Sequence, residues 1–320
     1  MEITSSAKQA REFFRNSARA DESVKPLLTF YGVSALTRSV LLLLRSSGGE
    51  ETLTAGHGIE TVRWSNSLSG ELGTSLRAID GLTIRTTQGL FSDFIEESEN
   101  RMCMHIASSA VDWRLILPKP PVYTELTLGE ILARLPDVTR ELDRVDRPVK
   151  CASVNSITFT PAAGLSAKIS ADRFASFQSA YEAKGYTVVT ADGWCDVSCP
   201  TSVLEEFVPQ FIHTYVFKTF GSIPSLHIAE PFSRGVRFSQ LGLTYLIAYC
   251  LGMLVRYYPT HWTALFTGAK GDALWPAISL AQTYVEQSYP ELVVEFIEDS
   301  VQRAAEAPSM ADDHGDAQPE

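Results

Sequence analysis

Six residues near the carboxyl end, Arg256-Tyr257-Tyr258-Pro259-Thr260-His261, place a guanidinium and an imidazole with four residues between them. An imidazole titrates near neutrality and can move protons, while a guanidinium is a permanent cation that can stabilise developing negative charge. Pro259 lies between the two and should end the preceding helix near Tyr257. The plainer reading puts Arg256 at a helix C-terminus, where the macrodipole favours a cation, with His261 and Trp262 packing as the chain turns.

A second group, Cys195, Cys199, His213 and His227, combines two thiols with two imidazoles, a donor set that suits tetrahedral zinc. The cysteine spacing is permissible. Thirteen residues separate the histidines, however, unlike a compact finger, so free thiols are the favoured account and no metal is assigned. His57 lies between Gly56 and Gly58, where the backbone can either present the ring to a ligand or form a turn, and the turn is favoured. Gly268-Ala269-Lys270-Gly271-Asp272 lacks the spacing and the Ser or Thr of a phosphate loop and reads as a connector with Asp272 as helix N-cap. The chain has no Gly-x-Ser-x-Gly elbow, no His-Glu-x-x-His and no dinucleotide-binding glycine pattern after a strand, so no cofactor is expected. The five tryptophans are expected to pack in or near the core.

The elements that must position these residues are helical at both ends. Residues 7–19 and 24–46 read as two helices, the second apolar on almost every face and in need of a partner. Pro26 is tolerable in its first turn. Residues 50–75 read as a long Gly-, Ser- and Thr-rich loop, 82–87 as a strand and 90–95 as a short helix. Thr127 and Glu130 form a capping-box pattern ahead of a helix over 128–144. Strands are expected at 154–160, 167–170, 186–190 and 211–220, with a helix from Asp172 to Lys184 closed by Gly185. The last third returns to helix at 239–257, 272–287 and 290–304, and no fixed-period repeat occurs.

Composition bounds the function. A chain of 320 residues with 45% apolar content can bury a large core. The formal charge of −11 gathers partly in Glu306, Asp312, Asp313, Asp316 and Glu320, leaving a body of about −6 and no strong nucleic-acid surface. Five dispersed cysteines fit reduced thiols, no secretory signal opens the chain, and a cytoplasmic location follows. The apolar run over 241–255 is shorter than the roughly 20 residues of a bilayer span and reads as a buried core helix, so no membrane partner is expected.

Several landmarks carry a family resemblance. They are the stretch from Ala10 through Gly32 to the apolar run at 40–44, His57-Gly58 with Trp64, Leu126-Thr127-Leu128 with Leu135-Pro136, and Met253 through Pro259 with His261-Trp262. Gly271-Asp272, Pro276 and Tyr289-Pro290 complete them. Together they resemble the YaaC-like family, bacterial proteins without a settled biochemical activity, with residues 150–235 matching least. The resemblance implies a bacterial cytosolic protein and carries over no catalytic residues; the bacterial distribution suggests a stress or phage-defence operon. The Arg256 to His261 spacing also resembles the motif of HEPN ribonucleases, which would give His261 an acid/base role and Arg256 the stabilisation of a pentacovalent phosphate. In that family the two residues usually share a helix, from which Pro259 departs.

The expected fold is α+β and predominantly α, with the amino- and carboxyl-terminal helices forming one bundle around a smaller central mixed β module. Residues 1–149 form a helical region with short strands, 150–235 the central α/β module, 236–304 helices that pack back on the first, and 305–320 a disordered acidic tail. The expected function is a non-catalytic protein-interaction or regulatory subunit that binds another protein or a copy of itself. The alternative is a HEPN-like, metal-independent ribonuclease using Arg256 and His261, with RNA as partner only in that case.

Overall fold

The computed structural model describes residues 2–45, 47–102, 115–160, 162–183, 185–200, 202, 211–213, 226–269 and 272–306. Helix α1 (Glu2–Ser17) is followed by α2 (Lys25–Leu44), which tolerates Pro26 in its first turn. Residues 50–75 are not the expected loop. They hold a 3-10 turn (Glu50–Thr52), strand β1 (His57–Val62) and short helices α3 (Trp64–Ser67) and α4 (Leu72–Arg77). The local composition is loop-like, but β1 gains a ladder partner in β2 (Thr83–Gly89) and buries Ile59.

Helix α5 (Leu90–Glu97) follows β2 directly, and β3 (Arg101–Met102) pairs with β4 (Leu115–Ile116). Strand β5 (Glu125–Thr127) completes a three-stranded antiparallel sheet in the order β1-β2-β5. Thr127 then caps α6 (Leu128–Leu132) through a reciprocal capping box with Glu130, as its spacing predicts. The helix expected over 128–144 is broken, because Pro136 holds Leu135 extended and restarts the chain as a 3-10 turn leading into α7 (Thr139–Asp143).

The central strands are β6 (Cys151–Thr160), β7 (Gly164–Ser170), β8 (Thr187–Ala191), β9 (Trp194–Cys199), β10 (Phe211–His213) and β11 (Leu226–Ala229). Helix α8 (Ala171–Glu182) lies between β7 and β8, with Ser170 rather than Asp172 at its N-cap position. The sheet is antiparallel at every pairing and runs β10-β11-β6-β7-β9-β8. Gly185 has the left-handed φ of +86° its position predicts. Residues 214–220 of the expected fourth strand, Lys184 and the tail from 307 lie outside the described residues.

Helix α9 (Gln240–Tyr257) is capped by the Ser239 hydroxyl, which accepts from the Gly242 N–H. Helix α10 (Pro259–Phe266) bends away from α9 by 108°. The two helices expected at 272–287 and 290–304 are one helix, α11 (Trp275–Glu306), which runs through Pro290. An interior proline costs about 3 kcal/mol. Burial of Tyr289, Leu292, Val293 and Phe296 around it offsets that cost.

Both ends of the chain share one apolar core. It joins α2, α9, α10 and α11 with α5, α6 and the three-stranded sheet. Phe30 of α2 lies 6.0 Å from the Tyr245 ring and 5.5 Å from the Tyr249 ring. A Cβ on Gly252 would lie 2.7 Å from the Phe30 Cβ, so glycine permits this close approach. Polar pairs fix the register of the bundle: Thr37 and Tyr289 share a 2.6 Å hydrogen bond, and Gln282 Nε2 donates to Thr29 Oγ1 at 2.7 Å. The fold is α+β and predominantly α.

A second core forms between α8 and the six-stranded sheet. Buried Arg134 ties it to the first, donating at 2.8 Å to the carbonyls of Glu130, Glu230 and Pro231, with its guanidinium 4.0 Å above the Phe232 ring. Among the described residues, α2 rather than the 241–255 run is the one helix long and apolar enough to cross a membrane; α9 passes that test only together with bent α10. Both α2 and α9 contribute heavily to the interior of the bundle.

Candidate functional site

The corner between α9 and α10 carries Arg256 and His261, with Tyr257 and Tyr258 between them. Arg256 sits in the last turn of α9, where its charge complements the helix dipole. It is exposed, and its guanidinium carbon lies 5.1 Å from the Tyr257 ring centroid. No carboxylate among the described residues pairs with it. Pro259 opens α10 as the first helical residue, so His261 belongs to a new helix rather than to a turn. The half-exposed His261 ring packs edge-on against Tyr258 at 6.0 Å. Arg256 and His261 therefore stand on two helices and share no helical face.

Trp262 anchors the corner. Its buried indole N–H donates to the Glu22 carbonyl at 2.7 Å, and its ring packs against Trp275 at 5.4 Å. On the other side, Trp64 packs against Tyr258 at 6.1 Å and donates to the Thr83 carbonyl at 2.6 Å. Strand β1 thus runs along the corner, from His57 towards the residues just before Trp64.

His57 is the imidazole that these elements hold most firmly. The β1-β2 register shifts between His57 and Ile59, a bulge of the kind that re-aims a side chain. Two glycines permit it. Gly58 has φ +76° and Gly89 φ +144°; a Cβ on Gly58 would lie 2.7 Å from the Phe91 nitrogen, and one on Gly89 2.4 Å from the Gly58 nitrogen. The half-buried imidazole packs edge-on against Phe30 at 5.0 Å and Tyr249 at 6.2 Å, and the buried Tyr245 hydroxyl donates to the His57 carbonyl at 3.3 Å. Burial first, then the positive charges of Arg256 and Arg38, holds the His57 pKa below its ordinary value.

Arg38 escapes the spacing argument, although it leaves one trace: it is the only charged residue within α2 between Lys25 and the Arg45 that follows the helix. It is exposed and has no carboxylate partner among the described residues. By contrast, Arg45 is held by Asp93 and Glu97, Arg147 by Asp80, and Arg85 by Glu60.

The structure does not bring the four zinc candidates together. Cys195 and Cys199 lie on β9, whereas His213 and His227 lie on β10 and β11, beyond β7 and β6. Three strand spacings separate β9 from β11, about 14 Å. Cys195 Sγ instead shares a 3.2 Å hydrogen bond with Thr190 Oγ1. Among the described residues no three His, Cys, Asp or Glu side chains converge. Cys151, Cys195, Cys199 and Cys250 are buried free thiols, and burial pushes the Cys151 thiol up to about 12, far from a reactive thiolate. Cys103, Lys270 and Gly271 lie outside the described residues.

No curated protein and no solved structure matches the chain. The family model for YaaC-like proteins matches residues 2–297, a span that includes the central strands as well as both ends of the bundle. Landmarks scattered in the sequence meet in the structure, Trp64 against Tyr258 of the 253–262 corner and His57 against Tyr249 of the same helix α9, and the chain belongs to the YaaC-like protein family.

Proposed function

We propose that this protein is a non-catalytic interaction or regulatory subunit acting in the cytoplasm, and that the α9-α10 corner is its recognition surface. One observation carries the reading. Exposed Arg256 and Tyr257 stack on one another beside half-exposed Tyr258 and His261, and Arg and Tyr are the residue types enriched at interface anchors. The same corner, stabilised by buried Trp262 and Trp64, is rigid enough to present them without much ordering cost.

Native mass spectrometry of the purified protein tests this. The reading predicts a dimer or a co-purifying protein subunit that is lost in the Arg256→Ala/Tyr257→Ala variant. The HEPN-like alternative is tested with labelled RNA in chelator: equal background from wild type and His261→Ala supports a non-catalytic protein. Cleavage by wild type that disappears in His261→Ala would overturn it.

A further inference from the structure

We propose that the cavity between α6 and residues 142–150 binds a small carboxylate with an apolar body, and that Arg134 holds its carboxylate group. The inference goes beyond the α9-α10 corner and does not depend on it. The cavity measures about 340 Å³; its wall includes Leu132, Leu142, Pro148 and Leu274, and its cations are Arg134, Arg147 and Lys150. Such a volume is at the small end of ligand pockets, which form preferentially where two packed bodies meet. Leu132, Leu142 and Leu274 belong to the first core. Arg134 and Lys150 reach the other body, where both bind Glu230, the residue that follows β11.

Local bonds hold the wall in place. The Lys150 N–H donates to the Ala133 carbonyl at 2.6 Å, and Arg147 is fixed by the Asp80 carboxylate at 3.1 Å and the Arg77 carbonyl at 2.8 Å. Arg134 sets the charge of the ligand. It is only 5% exposed, and among the described residues no carboxylate forms an ion pair with it. A guanidinium has five N–H groups, and the carbonyls of Glu130, Glu230 and Pro231 take three of them, leaving two donors on a buried cation. Burying an ion without a counter-ion is costly, and a bound carboxylate supplies both the opposite charge and the missing acceptors.

The remaining charges on the wall are already engaged. Asp80 pairs with Arg147 and Glu230 with Lys150, while the Glu130 carboxylate accepts from the Thr127 N–H and hydroxyl. Glu130 and Glu230 act on Arg134 from longer range and only partly oppose its burial, which lowers the guanidinium pKa. One cation without an ion pair suits a monoanion. A phosphate monoester carries about −1.5 to −2 at pH 7 and would set its second charge against Asp80 and Glu130, which line the same cavity. The leucines and Pro148 favour a hydrocarbon or aromatic body for the rest of the ligand.

The test is a titration of hexanoate, 1-hexanol and hexyl phosphate into the full chain at matched ionic strength, read by calorimetry and by NMR of the leucine methyl groups. The expected result is saturable binding of hexanoate that shifts the Leu132, Leu142 and Leu274 methyls first, with 1-hexanol and hexyl phosphate each weaker by about tenfold or more. Arg134→Met should bring hexanoate down to the level of 1-hexanol, and an unchanged circular dichroism spectrum checks that the variant folds. If it does not fold, the three ligands compared on wild type decide the matter alone. Absence of saturable hexanoate binding to wild type at about 10 mM would overturn the proposal. Methyl shifts confined to other leucines would do the same, as would 1-hexanol or hexyl phosphate binding as tightly as hexanoate. Undiminished hexanoate binding by a folded Arg134→Met variant would remove Arg134 from the site and overturn it as well.

Discussion

Gly252→Ala should destabilise the protein, although helix propensity alone says the reverse. In an exposed helix interior, replacing glycine by alanine stabilises by about 1 kcal/mol. Here the added Cβ would stand 2.7 Å from the Phe30 Cβ and 3.1 Å from its Cγ. Carbon atoms pack best at about 3.5–4.0 Å, so α2 and α9 would have to separate by about 1 Å. Phe30 cannot yield locally, because it is fully buried between His57, Tyr245 and Tyr249. Overpacking of this kind typically costs about 1–3 kcal/mol, which leaves a net loss of about 1 kcal/mol after the propensity gain. Equilibrium urea denaturation of wild type, Gly252→Ala, Phe30→Ala and the double variant measures it. The Gly252→Ala cost should shrink when Phe30 is already truncated, a coupling of about 0.5 kcal/mol or more. A Gly252→Ala variant about 1 kcal/mol more stable than wild type, with no coupling to Phe30, would refute the close packing of the two chain ends.

Three other outcomes follow from the same geometry. Gly89→Ala should destabilise by about 3 kcal/mol or more, because the new Cβ meets the Gly58 backbone at a left-handed φ; thermal unfolding with a shift of only a degree or two would contradict the bulge. Arg134→Met should cost about 2–4 kcal/mol, since it strands the Glu130, Glu230 and Pro231 carbonyls, and hydrogen exchange should rise first in the strand ending at Ala229. The depressed His57 pKa means that the folded state holds fewer protons than the unfolded chain. Stability should therefore be full above about pH 6.5 and fall as pH drops towards the folded pKa, and denaturation of His57→Gln should lose this part of the acid sensitivity.

Local chemistry made some of this fold readable from residues alone. The Thr127-Glu130 box, the Gly185 terminus and the end of α9 before Pro259 depend on one or two side chains each, and the structure has them. Partnership of the first and last helices also followed, because neither α2 nor α9 could leave so much apolar surface in water. Prolines misled in both directions. Pro136 breaks a helix whose apolar spacing looked continuous, whereas Pro290 fails to break one held by buried neighbours on either side. Strand β1 was hidden by glycine-rich composition, since its stability comes from a ladder with a strand that starts more than twenty residues later.

The candidate site was legible only in pieces. Arg256 and His261 are prominent in sequence, yet a 108° bend assigns them to different helices. His57 looked like a turn residue because the bulge that aims it requires Gly89, thirty-two residues away. Arg38 carries no motif, and nothing in its spacing reveals that its charge, like that of Arg256, lowers the His57 pKa.

The most direct test of the arrangement is an NMR titration of the His57 ring, assigned by comparison with His57→Gln, in wild type, Arg38→Gln and Arg256→Gln. Removing a nearby cation relieves repulsion of the imidazolium, so the account predicts a wild-type pKa below 6.5 that rises in each arginine variant. A His57 pKa at or above 6.5 in wild type, or one that neither substitution moves, would contradict the combined effect of burial and the two arginine charges on this residue.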